Sequence, residues 1–385
     1  MIAARRVYDV RARVLAPQWL LVGHVRDLLS RVGLLDQLQL IRTWPANRRR
    51  AIRAQTFAAT ILPDVGDARE LGPWRTYKLV PTHGDVAVLA AGPTTQPRRA
   101  LIKIAETPAA AEGLECQRRA LIALQSDERL GSWRSLIPRV LDAGEADGVA
   151  YVLEQRLPGM NLERVLGRSD VRERALQESA AAIGRLHVAT AREVHVDHGM
   201  LERWVSEPAR VVGDVLGQCR GRGDALAALG RLENQLRVTL GANPVAVSWV
   251  HGDYYPRNIL AGPDGNVTGI VDWEFAHPQD LPALDVVTLL LTVRMWQRHQ
   301  EFGQVVADLV TNPTWTASEA RMLASAQSDV VGCSLGTEAL VLLCWLRHAA
   351  AKFTRRTGFA DHGLWMHANV HAVFAALAQG PTTLT

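Results

Sequence analysis

The chain has 385 residues, of which 48% are hydrophobic and 21% charged, so it can bury a large core and is not a disordered segment. Its net charge of +4 is small for this length, and no basic stripe with interleaved aromatic residues argues for nucleic-acid binding. No uncharged stretch reaches the length of a membrane span, and four scattered cysteines suit a reducing compartment. We therefore expect a cytoplasmic protein without nucleic-acid or membrane partners.

Residues 1–70 are predicted to form a helical N-terminal extension of unknown role, because apolar residues such as Leu20, Val25 and Leu28 recur at helical spacing. The extension ends in an arginine-rich stretch that includes Arg48 and Arg49. A solvated helix face explains that stretch better than an anion-binding patch does. We find no catalytic motif in this part of the chain.

Residues 71–157 have the pattern of short strands with one helix. Predicted strands cover Ala100–Ala105 and Val149–Leu153, and an amphipathic helix carries Leu114 and Leu121 on its apolar face. Residues 158–385 are mainly helical, apart from strands between Val245 and Trp273. This order of elements predicts a two-lobed α+β enzyme, with a small sheet-containing lobe followed by a larger helical one.

The segment Val245–Glu274 carries the chemistry. An apolar strand leads into His251-Gly252-Asp253, and Asn258 follows five residues later. The turn Asp264-Gly265 then returns the chain through a second apolar run to Asp272. A hairpin centred near Gly265 would place Asn258 and Asp272 side by side at its open end.

An amide oxygen beside a carboxylate is a pair that suits Mg²⁺, which takes one or two protein oxygens together with phosphate and water. Asp253 precedes the hairpin and is able to accept a proton from an attacking hydroxyl. Metal ligands that neutralise phosphate charge, together with a base that orients the nucleophile, predict a phosphoryl-transfer site.

The pattern HGDxxxxN, followed by an apolar strand and Asp-Trp-Glu, resembles the catalytic segment of the aminoglycoside phosphotransferase and choline kinase family. The resemblance implies a protein-kinase-like fold, with an antiparallel sheet and one helix in the N-lobe (residues 71–157) and a helical C-lobe (158–385) that holds the catalytic hairpin. It implies that Asp253 is the base, that Asn258 and Asp272 hold Mg²⁺, and that Asp285 braces the catalytic loop. We expect His251 to support the loop structurally and not to move protons.

On the nucleotide side, the family requires a strand lysine for the ATP phosphates. Lys103 lies in an apolar predicted strand and is one of only three lysines in the chain. Its acidic partner is less well defined, because Gln117 stands where the family often has glutamate; we predict Glu115. Glu154–Leu157 resembles the inter-lobe hinge, which implies that adenine bonds main-chain groups at Gln155 and Leu157.

The acceptor is expected to be a small-molecule hydroxyl on an amino sugar, another sugar or an amino alcohol. Glu274 and Tyr254 are the predicted substrate residues, since a carboxylate beside an aromatic face holds an ammonium group. The basic residues Arg347 and His348 leave an anionic acceptor open as well.

Two other interpretations remain open at this point. The uncertain glutamate and the single glycine in His83-Gly84-Asp85 are compatible with a nucleotide-binding pseudokinase that acts as a scaffold. The stretch Gly332–Gly336 fits the G-x-S-x-G elbow of serine hydrolases, with Ser334 as nucleophile, although the strand that this motif requires before the serine is missing from the pattern.

Overall fold

The computed structural model describes residues 49–64, 73–80, 85–93, 95–96, 98–218, 223–242, 244–328, 335–355 and 363–379. The chain divides into two compact units, Met1–Ile104 and Ala105–Thr385.

The described part of the first unit begins with a helix, α1 (49–61), which falls inside the predicted helical extension. Three strands follow: β1 (Trp74–Val80), β2 (Val86–Pro93) and β3 (Ala100–Ala105). β1 and β2 are antiparallel, and β2 lies between β1 and β3 in the sheet. β2 is a nearly continuous apolar run that is buried on both faces, as expected of a strand covered on both sides.

The second unit opens with the helix α2 (Pro108–Ser126), whose start is marked by Pro108 in its first turn and by Thr107, which accepts a hydrogen bond from the backbone of Ala110. An antiparallel hairpin, β4 (Val140–Ala146) and β5 (Val149–Gln155), comes next. Its two-residue turn is Asp147-Gly148, and both residues have positive φ, as a type I′ turn requires.

The remaining described helices of the second unit are α3 (Leu162–Leu166), α4 (Arg172–Thr190), α5 (His198–Leu201), α6 (Glu207–Gly217), α7 (Gly223–Gly241), α8 (Ala283–Arg298), α9 (Phe302–Thr311), α10 (Ala317–Ser328), α11 (Thr337–Arg355), α12 (Gly363–Met366) and α13 (Ala372–Gln379). Two π-helical turns, Glu202–Ser206 and His367–His371, interrupt the helical segments. α8 is buried over nearly its whole length, which makes it the central helix of this unit.

Two small sheets lie among these helices. In one, β9 (Ile259–Ala261) lies between β10 (Val267–Ile270) and β6 (Met160–Asn161). In the other, β8 (Val245–Val250) lies between β7 (Arg192–Val194) and β11 (His277–Asp280). The second sheet delivers the end of β8 to the segment that the sequence analysis singled out.

The predicted α+β class is confirmed, with strands and one long helix followed by a mainly helical region, and so is the hairpin between β9 and β10. The lobe boundaries predicted at residues 70 and 157 stay predictions.

No helix within the described ranges combines the length and the apolar character that crossing a membrane requires.

A buried ion pair ties α8 to α10. Arg294 Nε donates to Glu319 Oε1 over 2.7 Å, and the guanidinium also stacks over Trp315 at 4.4 Å. Burial raises the pKa of Glu319, but the hydrogen bond from Arg294 and the backbone contact with Thr316 outweigh it and hold the pKa below its usual value. The pair fixes the connection between α9 and α10 against the central helix.

We expect Glu319→Gln to lower the free energy of unfolding by about 3–5 kcal/mol, because it leaves the Arg294 charge buried without its partner. The measurement is chemical denaturation at neutral pH. Asp214→Asn is the matched control, since Asp214 pairs with Arg210 on an exposed helix face, and should change stability by less than about 1 kcal/mol. Equal effects of the two substitutions would contradict a structural role for the buried pair.

Candidate active site

The catalytic segment begins where β8 ends. His251, Gly252 and Asp253 form a tight loop, in which Gly252 has φ of 76°. A β-carbon at Gly252 would lie 2.3 Å from the carbonyl oxygen of Phe275, so this position requires glycine for space and for conformation. The loop is therefore packed directly against the chain that follows Asp272.

The hairpin that carries Asn258 differs from the prediction by one residue. Val271 donates its backbone N–H to the Asn258 carbonyl over 2.8 Å, and Ile259 pairs with Ile270, so Asn258 lies opposite Val271 and not opposite Asp272. The reason is the turn, which is centred on Asp264 because the Gly262 N–H closes on the Asn266 carbonyl. A register shift between Val267 and Gly269 then moves the pairing back by one position, so the net difference from the prediction is one residue.

Asn258 is bonded directly to Asp253. Its amide nitrogen donates to the Asp253 carbonyl over 2.9 Å and to Asp253 Oδ2 over 3.2 Å. Both contacts use the nitrogen, so the Asn258 amide oxygen is the atom oriented for a cation. The structure therefore brings the predicted base and one predicted metal ligand into contact.

Asp272 is held in a left-handed backbone conformation with φ of 71°, which is uncommon for a residue other than glycine. Its neighbours fix it there. The Val271 N–H donates to the Asn258 carbonyl, and the Val271 carbonyl accepts from His251. The buried Trp273 donates its indole N–H to the Ile270 carbonyl over 2.9 Å. Strained backbone of this kind recurs at functional sites, where surrounding contacts maintain it.

Asp285, in the first turn of α8, anchors the catalytic loop from beneath. Its two carboxylate oxygens accept the backbone N–H of His251 over 2.8 Å and that of Gly252 over 3.0 Å. His187, at the end of α4, adds a third contact, with Nε2 3.0 Å from Asp285 Oδ2. Burial raises the pKa of Asp285, but the hydrogen bond and charge of His187 and the loop contacts outweigh it, so the net pKa lies below the usual range.

His251 is fully buried, and its ring links the two halves of the site. The Asp253 backbone N–H donates to Nδ1 over 3.2 Å, which leaves Nε2 to carry the proton and donate to the Val271 carbonyl over 2.9 Å. The ring also packs edge-to-face on Trp273 with centroids 4.6 Å apart. With both nitrogens used in this way, His251 holds the loop against the hairpin.

Tyr254 does not lie where a substrate residue must. It is fully buried, and its hydroxyl donates to the Ser179 carbonyl on α4 over 2.8 Å. Burial and, less strongly, the Asp285 charge raise its pKa well above the usual value, so it remains a neutral donor. The substrate role predicted for Tyr254 is wrong; alternation along the loop turns Tyr254 inward and leaves Tyr255 half-buried.

Glu274 is partly buried and lies against α2. A β-carbon built on Gly113 would be 2.9 Å from Glu274 Oε2, so the helix approaches the carboxylate closely at that glycine. Of the aromatic surface expected around Glu274, Trp273 is fully buried and Phe275 is 39% exposed. The substrate role of Glu274 stays a prediction.

The helix α2 presents Gln117, and not Glu115, on its buried face. Glu115 lies on the exposed face and pairs with Arg118 at 2.7 Å and Arg119 at 3.5 Å. Gln117 is 1% exposed and donates to the equally buried Glu154 on β5 over 2.6 Å. Glu115 as the acidic partner is therefore corrected, because helical periodicity turns it away from the core.

The other predicted nucleotide residues lie on two strands and the segment after β5. Lys103 is buried in β3. Gln155 ends β5, and its backbone N–H donates to the Arg139 carbonyl over 2.8 Å, so this N–H is already bonded within the protein. The side chain of Leu157 packs where a β-carbon on Gly269 would lie, 2.7 Å away.

The segment after β5 is joined to the catalytic hairpin. Thr268 of β10 donates its hydroxyl to the Pro158 carbonyl over 2.7 Å. Gly159 has φ of 110°, and a β-carbon there would lie 2.3 Å from the Thr268 hydroxyl. β6, which follows, pairs with β9 through Met160 and Asn161. The segment that carries Gln155 and Leu157 and the hairpin that carries Asn258 thus form one packed wall.

The donor set fits the predicted Mg²⁺. Within the described ranges no three His, Cys, Asp or Glu side chains are grouped as a metal site. An amide oxygen and one carboxylate, completed by phosphate oxygens and water, are what Mg²⁺ takes in nucleotide enzymes, so such a group is not required. Asn258, with its amide nitrogen already used, is suited to that role.

Ser334 and the residues His83 and Gly84 lie outside the described residues.

Arg347 is described, and it forms two hydrogen bonds with Asp280, at 2.9 and 2.6 Å, which accounts for its charge without an anionic substrate. Tyr255 and His348 form a contact that was not predicted, in which His348 Nδ1 lies 2.8 Å from the tyrosine hydroxyl. Ninety-three residues separate the two, and no periodic signal connects them.

Similar solved structures include an aminoglycoside 3''-phosphotransferase of Streptomyces rimosus, 20% identical over 76% of this chain and 97% of that one, with a TM-score of 0.45. A mutant aminoglycoside 2'-phosphotransferase in complex with GDP is 14% identical over 85% and 97%, with a TM-score of 0.47. A glucosamine kinase with glucosamine, ADP and phosphate is 18% identical over 79% and 80%, with a TM-score of 0.41. No curated protein sequence matches the chain.

A family model of phosphotransferase enzymes matches residues 92–321, which include Lys103, the catalytic loop, the hairpin and Asp285. This match confirms the resemblance inferred from the catalytic segment. Because it covers more than half of the 385 residues, the chain belongs to the phosphotransferase enzyme family.

Proposed function

We propose that the protein is an ATP-dependent kinase that transfers the γ-phosphoryl group to a hydroxyl of a small molecule. Asp253 is the base, and Asn258 and Asp272 are the Mg²⁺ ligands. The observation that carries the proposal is the hydrogen bond from the Asn258 amide to Asp253, in a loop that Asp285 holds by two backbone N–H groups. That contact joins the base to a metal ligand within one fixed unit.

Asp253 is oriented for proton transfer by its neighbours. Asn258 donates to Oδ2, which fixes the orientation of the Asp253 carboxylate, the group proposed to accept the proton of the attacking hydroxyl. Two backbone hydrogen bonds to Asp285 hold the loop, and such fixed geometry is the condition for efficient positioning. Mg²⁺, when bound with ATP, supplies the positive charge that stabilises the transferring phosphoryl group.

The nucleotide is proposed to place its phosphates near Lys103 and its adenine at the main-chain groups of Gln155 and Leu157. Lys103 supports this because a buried lysine in an apolar strand requires a structural or ligand-binding reason. Lysine provides a compact point charge for phosphate, which arginine does not.

The acceptor is proposed to be an amino sugar, another sugar or an amino alcohol. Glu274 and the exposed ring of Phe275 support a cationic group on the acceptor, since a carboxylate beside an aromatic face attracts ammonium. The pairing of Arg347 with Asp280 removes the main argument for an anionic acceptor.

We expect Asp253→Ala to lower phosphoryl transfer about 10²- to 10⁴-fold, the usual contribution of a positioned base. The measurement is ATP consumption with Mg²⁺ in the presence of an acceptor selected by thermal shift from amino sugars, sugars and amino alcohols. Asp272→Ala should instead raise the Mg²⁺ concentration that half-maximal phosphoryl transfer requires. Asp224→Asn, an exposed carboxylate on α7, is the matched control and should leave both properties unchanged.

If ATP with Mg²⁺ stabilises the wild type but is not consumed with any acceptor, the nucleotide-binding scaffold becomes the better interpretation. Equal turnover by the wild type and Asp253→Ala would remove Asp253 from the mechanism.

Asp285→Asn should destabilise the fold, because an amide presents a donor to one of the two loop N–H groups that the carboxylate accepts. The pKa of Asp285 is lower in the folded protein than in the unfolded chain, so its contribution is complete above about pH 4 and is lost as the pH falls further. The stability difference between wild type and variant should therefore narrow below about pH 4. Thermal denaturation between neutral and acidic pH measures it, and a difference independent of pH would contradict a charged Asp285.

A further inference from the structure

The two residues after Asp253 are tyrosines that reach in opposite directions to different helices. Tyr254 bonds Ser179 on α4, and Tyr255 lies within hydrogen-bond distance of His348 on α11. The loop that carries the proposed base is thus held from two sides, immediately beyond the base itself.

The two contacts differ in burial. Tyr254 is fully buried, whereas Asp253 and Tyr255 are both half-buried and occupy alternate positions of the loop. The accessible side of the loop therefore carries Asp253 and Tyr255 together. The Tyr255 backbone N–H also donates to the Asp253 carbonyl over 2.8 Å, so a shift of Tyr255 is passed directly to Asp253.

His348 is itself held in place by stacking. Its ring lies over Phe302, the first residue of α9, with centroids 4.1 Å apart and planes inclined by 16°. Phe302 is buried, and the next residue, Gly303, donates its N–H to Asn369 in the C-terminal π-helical turn over 3.0 Å. His348 is consequently a fixed partner for Tyr255.

The residue before His348 ties the same helix to the same loop by another path. Arg347 binds Asp280 of β11 with two hydrogen bonds. Asp280 lies opposite Ser248 of β8, the strand that leads into His251. Two consecutive residues of α11 therefore reach the catalytic loop, one through β8 and the other through Tyr255.

We infer that His348 is a positioning residue for phosphoryl transfer: through the Tyr255 hydroxyl it sets the place of the Asp253 carboxylate on the accessible side of the loop. The inference rests on the proposed function and adds to it a residue outside the catalytic segment. The geometry of a base matters because a displacement of about 1 Å can cost on the order of 100-fold in rate.

The test measures consumption of ATP with Mg²⁺ and no added acceptor, so that water is the nucleophile, in four variants. Tyr255→Phe removes the hydroxyl, and His348→Phe keeps the stack on Phe302 but removes the nitrogen. We expect each to lower kcat about 10-fold or more, with KM for ATP unchanged. The double variant should be no slower than either single variant, since both substitutions remove the same contact between Tyr255 and His348. His348→Asn, whose amide oxygen can replace Nδ1, should restore much of the rate.

The control is Thr354→Val, which removes a hydrogen bond to Ala350 on the same helix and should leave kcat unchanged. Three results would overturn the inference. They are additive losses of kcat in the double variant, equal losses of kcat in His348→Asn and His348→Phe, and an unchanged kcat in Tyr255→Phe. A loss of the same size in Thr354→Val would do so too, because it would assign the effect to the helix in general.

Hydrogen exchange separates this inference from the proposed function. His348→Phe should increase exchange of the backbone amides of residues 251–260 relative to those of α7. If the wild type consumes no ATP with any acceptor, the proposed function fails, whereas the exchange result still decides whether His348 holds the loop. If the wild type consumes ATP and exchange in residues 251–260 does not change, His348 has no positioning role.

Discussion

The site depends on one buried carboxylate. Asp285 accepts the N–H groups of His251 and Gly252 and so gives both donors a charged partner within the core. A buried charge is costly unless it is fully bonded, and here three donors, including His187, bond it. The loop that Asp285 binds also carries the ring of His251 and the contact between Asn258 and Asp253.

A chain of short contacts leads from this anchor to the chemistry. His251 is hydrogen-bonded to Val271, the residue before Asp272. Asn258 is hydrogen-bonded to Asp253. The side chains that would handle phosphate and proton are therefore set by main-chain geometry, and not by mobile surface groups. Preorganisation of this kind is what phosphoryl transfer requires, because the protein contributes chiefly position and charge.

Local pattern was enough to predict the α+β class, the catalytic hairpin and the grouping of Asp253 with Asn258, since turn chemistry and apolar strands are read over a few residues. It was not enough for the hairpin register, because the turn is centred on Asp264 and not on Gly265, and the bulge near Thr268 offsets only one of the two positions by which this moves the pairing. The inward turn of Tyr254 depended on burial, which the sequence does not state. The outward position of Glu115 follows from helical periodicity, since the apolar face of α2 carries Leu114 and Leu121 and not Glu115. The contact between Tyr255 and His348 joins distant parts of the chain, and only the packed structure could show it.

The bond from Thr268 to Pro158, with Gly159 pressed against the same hydroxyl, has a consequence for nucleotide selection. It makes the segment proposed for adenine and the hairpin proposed for Mg²⁺ a single rigid template. Under the proposed function, the adenine end and the Mg²⁺ end of a bound nucleotide then contact two elements whose separation is fixed. Under the proposed function, opening and closing during turnover would involve other elements of the chain, and the fixed separation would favour nucleotides that span it.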